Sequence, residues 1–115
     1  MLETPRFLQG LYHFEGSGLD EPVPLAAAAE YLVPFDKRAQ LIYFRAGNSI
    51  GELIYLVLTR NGRPMRYFPV GAKGAIHVPL AVVEDLDPED RIGLLIGAPA
   101  ALKGAVVVDI GFIEI

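Results

Sequence analysis

Between Arg38 and Val70 lie three short runs rich in β-branched and aromatic residues, and the turn residues between them favour strands over any other element. The runs are Gln40 to Arg45, Leu53 to Thr59 and Met65 to Val70. Ala46-Gly47-Asn48-Ser49-Ile50-Gly51-Glu52 separates the first two, and Arg60-Asn61-Gly62-Arg63-Pro64 the last two. Asparagine and glycine both tolerate the positive φ of a tight hairpin turn, so Asn61-Gly62 predicts one. The whole stretch reads as a three-stranded antiparallel meander. Its central run, Leu53-Ile54-Tyr55-Leu56-Val57-Leu58, is apolar on both sides of the pleat, which predicts a mid-sheet strand with both faces covered.

The flanks extend the β pattern. Phe7 to Glu15 suits a strand with a bulge or a close backbone approach at Gly10, ending in a turn at Gly16-Ser17-Gly18. Asp20 to Pro24 is extended, because each proline turns its predecessor away from helical geometry. Leu25 to Leu32 can form about two helical turns behind Pro24, or Ala28 to Val33 can be an edge strand leading to a turn at Pro34-Phe35-Asp36-Lys37. Propensity favours helix, whereas the surrounding pattern favours the strand, and the strand is expected here. Ala75 to Leu80 reads as a short strand that Pro79 places at an edge or an ending. Val82 to Leu86 passes into an acidic turn, Asp87-Pro88-Glu89-Asp90, before strands at Arg91 to Gly97 and Ala105 to Ile115. In the last strand Val106, Val108, Ile110 and Phe112 share one face, and Val107, Asp109, Gly111 and Ile113 the other. Seven or eight strands with no long helix predict an all-β fold, an antiparallel β-sandwich of jelly-roll type, with a barrel as the alternative. The 115 residues fit one domain, 1–115, without repeats or linkers.

Composition narrows the function classes. Hydrophobic residues make up 52% of the chain, a surplus for so small a domain that points to an interface. The absence of cysteine excludes a disulfide framework, a thiolate metal site and a cysteine nucleophile. Met1-Leu2-Glu3-Thr4-Pro5-Arg6 carries an acid and a proline where a secretory signal has basic and apolar regions. No apolar run approaches the roughly 20 residues of a membrane helix, so a cytoplasmic protein without a membrane partner is expected. The net charge of −4 is unevenly spread: residues 37–73 hold seven basic residues against Glu52 alone, and the rest of the chain three against thirteen acids. Such asymmetry suits a basic region facing an anionic partner, or a bipolar molecule meeting its own copies; alternatively the acidic flanks balance it in space.

No catalytic set emerges. Ser17, Ser49 and Thr59 lie in no nucleophile elbow, and no helix follows Glu15-Gly16-Ser17-Gly18 to hold one. Glu84-Asp85 and Glu89-Asp90 are adjacent pairs, which on a strand face opposite sides. Gly71-Ala72-Lys73-Gly74 lacks the spacing of a phosphate-binding loop. The chain is therefore not expected to be an enzyme. His13 and Glu15 share one face of their strand, and His77, Asp109 or Glu84 could add a third ligand for zinc or another divalent metal, the only cofactor the residues suggest. The histidine-x-histidine spacing of metal-binding cupins is missing.

Arg60, Arg63, Arg66, Tyr67 and Phe68 crowd one hairpin. Forked guanidinium donors beside flat aromatic faces suit a small anion, a sugar or single-stranded nucleic acid, and the acidic total charge argues against nucleic acid. The competing reading puts Tyr67 or Phe68 in the core and the arginine stems over apolar surface. With Glu15 near the end of the first strand and Asp109 in the last, the strand arrangement is similar in outline to noncatalytic carbohydrate-binding β-sandwiches. That resemblance is architectural and rests on no specific motif. It implies a structural calcium between the first and last strands and sugar binding through exposed aromatics, in a chain that has no tryptophan. The leading expectation is a noncatalytic β-sandwich acting through contacts with itself or another protein, ahead of a sugar or small-anion module and of a metal-dependent enzyme.

Overall fold

The computed structural model describes residues 3–115, apart from the side chains of residues 81–83; Met1 and Leu2 of the N-terminal segment read above, and the side chains of Val82 and Val83, lie outside the described residues. Nine strands follow one another: β1 (Thr4–Glu15), β2 (Gly18–Pro24), β3 (Glu30–Leu32), β4 (Ala39–Asn48), β5 (Ile54–Arg60), β6 (Arg63–Val70), β7 (Ala75–Leu86), β8 (Arg91–Ala98) and β9 (Lys103–Glu114). One sheet has the order β1-β9-β4-β7 and the other β2-β8-β5-β6, with β3 also on β8, and every pairing is antiparallel. All connections except β2 to β3 and β5 to β6 cross between the sheets. This is an all-β, two-sheet sandwich of jelly-roll-like topology, with no helix among the described residues.

Alternation builds the core. Val106, Val108, Ile110 and Phe112 of β9 are buried on the inner face, as their shared parity predicts, and meet Ile92, Leu94 and Ile96 of β8 and Ile54, Leu56 and Leu58 of β5 in one hydrophobic cluster. Phe44 of the first sheet stacks on Phe68 of the second with centroids 3.8 Å apart, and Tyr31 stacks on Phe112 at 4.2 Å. Phe68 is thus core, as the competing reading of the hairpin had it, whereas Tyr67 is exposed.

The hairpin forms where Asn61-Gly62 predicts, with φ of 54° and 81° at the two residues. The meander does not. The first run belongs to β4 in one sheet, while β5 and β6 pair in the other. The buried side chain of Asn48 accounts for the crossing: its Nδ2 donates to the carbonyls of Glu52 (2.9 Å) and Gly71 (3.1 Å), and its Oδ1 accepts from the Ile50 amide (3.0 Å). These bonds fold residues 49–53 across the end of the sandwich instead of back along β4.

β5 does lie inside its sheet, between β8 and β6. Among the described residues no second layer covers its outer face. Val57 is fully buried there with Tyr67 and Leu95 as its cross-strand neighbours, and the Tyr55 ring lies over Gly97. Gly10 marks a close approach by the Tyr12 ring and no bulge, since β1 pairs with β9 without a break. Residues 25–29 form a turn and β3 a short edge strand, so the helical alternative fails and the strand count rises to nine. Pro79 does lie on an edge strand, but β7 continues past it to Leu86.

Candidate functional site

The structure divides the hairpin cluster among several surroundings. Arg60 Nε donates to Asp90 Oδ2 at 2.8 Å, and its terminal nitrogens approach Asp90 (2.6 Å) and Asp87 (3.2 Å). Asp90 is buried and also accepts from Asn61 Nδ2 and from the Asp87 amide, each at 2.8 Å. Burial pushes the Asp90 carboxyl up, but the bonds from Asn61, the Asp87 amide and Arg60 outweigh that and hold it below the usual carboxylate range. Arg60 is therefore the clamp that holds the acidic turn against the hairpin. Arg66 points to the inner side of β6, 3.6 Å from Glu84 on β7 and 5.7 Å from the Phe68 ring centre, closing one long side of the sandwich. Tyr67, next in sequence, projects to the outer face beside Tyr55, 6.1 Å between centroids. Arg63 is exposed at the hairpin tip. Arg60, Arg63, Arg66 and Tyr67 thus do not converge on one ligand.

Ion pairs also dissolve most of the charge asymmetry. Arg38, Arg45, Arg60 and Arg66, all from the basic stretch, meet Asp87, Asp109, Asp90 and Glu84, all from the acidic remainder. The flanks balance the middle in space.

The histidines lie apart. β1 and β7 bound opposite edges of the first sheet, and His77 lies in the cross-strand row of Arg45, Asp109 and Gln9, four residues along from His13. Strand spacing then separates His77 from His13 by about 14 Å across the sheet and about 13 Å along it. His77 does not complete a site with His13 and Glu15, and no group of three histidine, aspartate or glutamate side chains among the described residues could hold a metal ion. Glu15 pairs with Lys103 and lies six residues, about 20 Å, along β1 from the row of Asp109, so these two acids form no shared cation site. Asp109 instead organises the outer face: it accepts from Gln9 Nε2 (3.0 Å) and from the Tyr43 hydroxyl (2.9 Å), with Arg45 at 3.5 Å. Burial and this bond raise the Tyr43 pKa. A shallow, open cleft of about 470 Å³ lies alongside, lined by Arg45, Gly47, Ala75, His77, Val107 and Asp109.

What gathers on this molecule is apolar surface. β1 and β2 are joined by only Gly16-Ser17, so the free edges of the two sheets run together along one long side, with β6 and β7 along the other. Phe7 and Leu11 of β1 are exposed on the outer face of the first sheet, with Val107 of β9 directly opposite Leu11; Leu19 of β2 and Leu32 of β3 are exposed on the second sheet, and Phe35 in the turn after β3. Those six stand among eight large exposed apolar side chains of the described residues; only Leu53 and Tyr67 lie elsewhere. The sequence carried a signal for this side. Phe7 to Phe14 has Leu8, Tyr12 and Phe14 on one face of its pleat and adds Phe7 and Leu11 to the other, between Gln9 and His13; β5 has strands on either side, and β1 has one.

No family profile matches the sequence, and no curated protein matches it. Among solved structures, the chain is similar to one from infectious bursal disease virus, Gx strain, with a TM-score of 0.51 and 12% identity over 97% of this chain and 32% of that one. A crystal structure of an exo-β-1,3-galactanase from Phanerochaete chrysosporium with galactose aligns at a TM-score of 0.42 and 14% identity, over 100% of this chain and 30% of that one. The chain spans about a third of the length of both. The first likeness shows the fold alone; the second is too distant to carry an argument.

Proposed function

We propose that this chain is a noncatalytic β-sandwich that acts through protein contacts, as a homo-oligomer or as a small accessory subunit, using the long side formed by β1, β2 and β3. The observation that carries this reading is the exposure of Phe7, Leu11 and Val107 together on the outer face beside the open β1 edge, with Leu19 and Leu32 exposed on the β2 and β3 strands of the neighbouring edge. Exposed apolar residues scattered singly need no explanation, whereas a concentration beside one pair of sheet edges fits an interface. A sugar or small-anion module at the hairpin is the weaker reading, because Arg60 and Arg66 are already engaged by carboxylates and Tyr67 faces away from Arg66.

The test is molar mass against protein concentration for wild type and three charge-introducing variants. Leu11→Lys and Leu32→Lys should lower the mass towards the 12.5 kDa of one chain, while Arg63→Glu on the opposite side should leave it unchanged. Dissociation by Arg63→Glu, with no effect of the two lysines, would move the contact to the basic hairpin and defeat the proposal.

A further inference from the structure

Four strand edges bound the two sheets: β1 and β7 the first, β6 and the β2–β3 pair the second. An open edge offers unpaired N–H and C=O groups to any passing strand, and proline within the edge blocks such pairing by removing a donor. β2 carries Pro22 and Pro24, β6 carries Pro64 and Pro69, β7 carries Pro79, and β3 has only three residues. β1 is different. It runs for 12 residues, has no proline after Pro5, and has no charged residue from Phe7 to Tyr12. Its outer-facing Phe7 and Leu11 are 56% and 60% exposed.

We propose that β1 pairs antiparallel with β1 of a second copy about a twofold axis at Gln9, joining two four-stranded sheets into one of eight. The proposal rests on the protein-contact reading above and names its partner and register. Residues directly opposite in an antiparallel ladder point to the same face, so outer-facing residues must meet outer-facing ones and the axis must pass through a residue. An axis at Gln9 sets Phe7 against Leu11 of the second copy, twice by symmetry, with Gln9 beside its own mate. Moving the axis to Leu8 or Gly10 sets Phe7 against Gln9 or His13 and loses both apolar pairs. The sequence around Gln9 is thus self-complementary, as a twofold contact requires, and a second copy fits it better than an unrelated strand.

Because the chain has no cysteine, a single introduced thiol reports the axis. Opposite Cβ atoms on an antiparallel pair are about 4.5–5.5 Å apart, close enough for a disulfide after small adjustment. Under mild oxidation Gln9→Cys should convert to a covalent dimer, while Arg63→Cys on β6 should stay uncrosslinked. Phe7→Cys mixed with Leu11→Cys should give a mixed dimer that neither variant forms alone. An oligomeric wild type in which Gln9→Cys crosslinks no better than Arg63→Cys would overturn the β1 register and leave the contact reading standing. A monomeric wild type with no crosslink would overturn the β1 pairing together with the homo-oligomer form of the contact reading.

Discussion

Asp90 shows how a residue that looks solvated in the sequence becomes structural. It stands in Asp87-Pro88-Glu89-Asp90, which reads as an exposed acidic turn, yet its carboxylate is buried and receives Arg60, Asn61 and the Asp87 amide. Its native pKa lies below the ordinary 3.8, so its contribution to stability is full above that value and is lost as pH falls from there through the lowered native value. Denaturant unfolding followed across pH should show Asp90→Asn less stable than wild type at neutral pH by about 1.5–3 kcal/mol, a gap that narrows on acidification. A gap constant with pH would contradict that ionic role. The same residues explain why the arginines of the hairpin part company in the fold. Arg60, Arg63 and Arg66 are neighbours in sequence, but the carboxylate partners of Arg60 and Arg66 lie eighteen or more residues further along the chain, and nothing local to the hairpin announces them.

At the scale of elements, the strands were legible and their partners less so. Parity placed Val106 to Phe112 on the core face, and the positive φ tolerated by Asn61 and Gly62 fixed the β5–β6 hairpin. The β4–β5 connection misled, because a loop containing glycines and asparagine fits a hairpin and a crossing equally well. Asn48 decides between them by satisfying the carbonyls of Glu52 and Gly71 from inside the fold. Asn48→Asp replaces that donor with an acceptor facing two carbonyls, and should cost about 2–3 kcal/mol or more in denaturant unfolding, with Asn48→Ala the milder change. Unchanged stability in Asn48→Asp would mean that the loop does not depend on this amide. The tyrosines supply what the outer faces lack: Tyr43 lies over Gly111 and Tyr55 over Gly97, each across from its glycine on the neighbouring strand. The Tyr55 ring covers part of the outer face of β5, the strand for which the sequence predicts cover on both faces.

The whole molecule is a sandwich with two unlike long sides. Along β6 and β7, prolines block the edges and Arg66 meets Glu84. Along β1, β2 and β3, apolar side chains are exposed and β1 offers an open edge. The 52% hydrophobic composition predicts an interface, and which strands carry the exposed apolar side chains emerges only with the fold. The charge asymmetry pointed to the other side and is largely cancelled by ion pairs within the fold. Apolar contact and contact between charged patches respond oppositely to salt, since screening at high ionic strength weakens only the second. Molar mass by size exclusion with light scattering, in low and in high salt, therefore tests the account most directly. A mass at least twice 12.5 kDa that persists in high salt is the predicted result, and a monomer in both, or an oligomer that dissociates in salt, would contradict it.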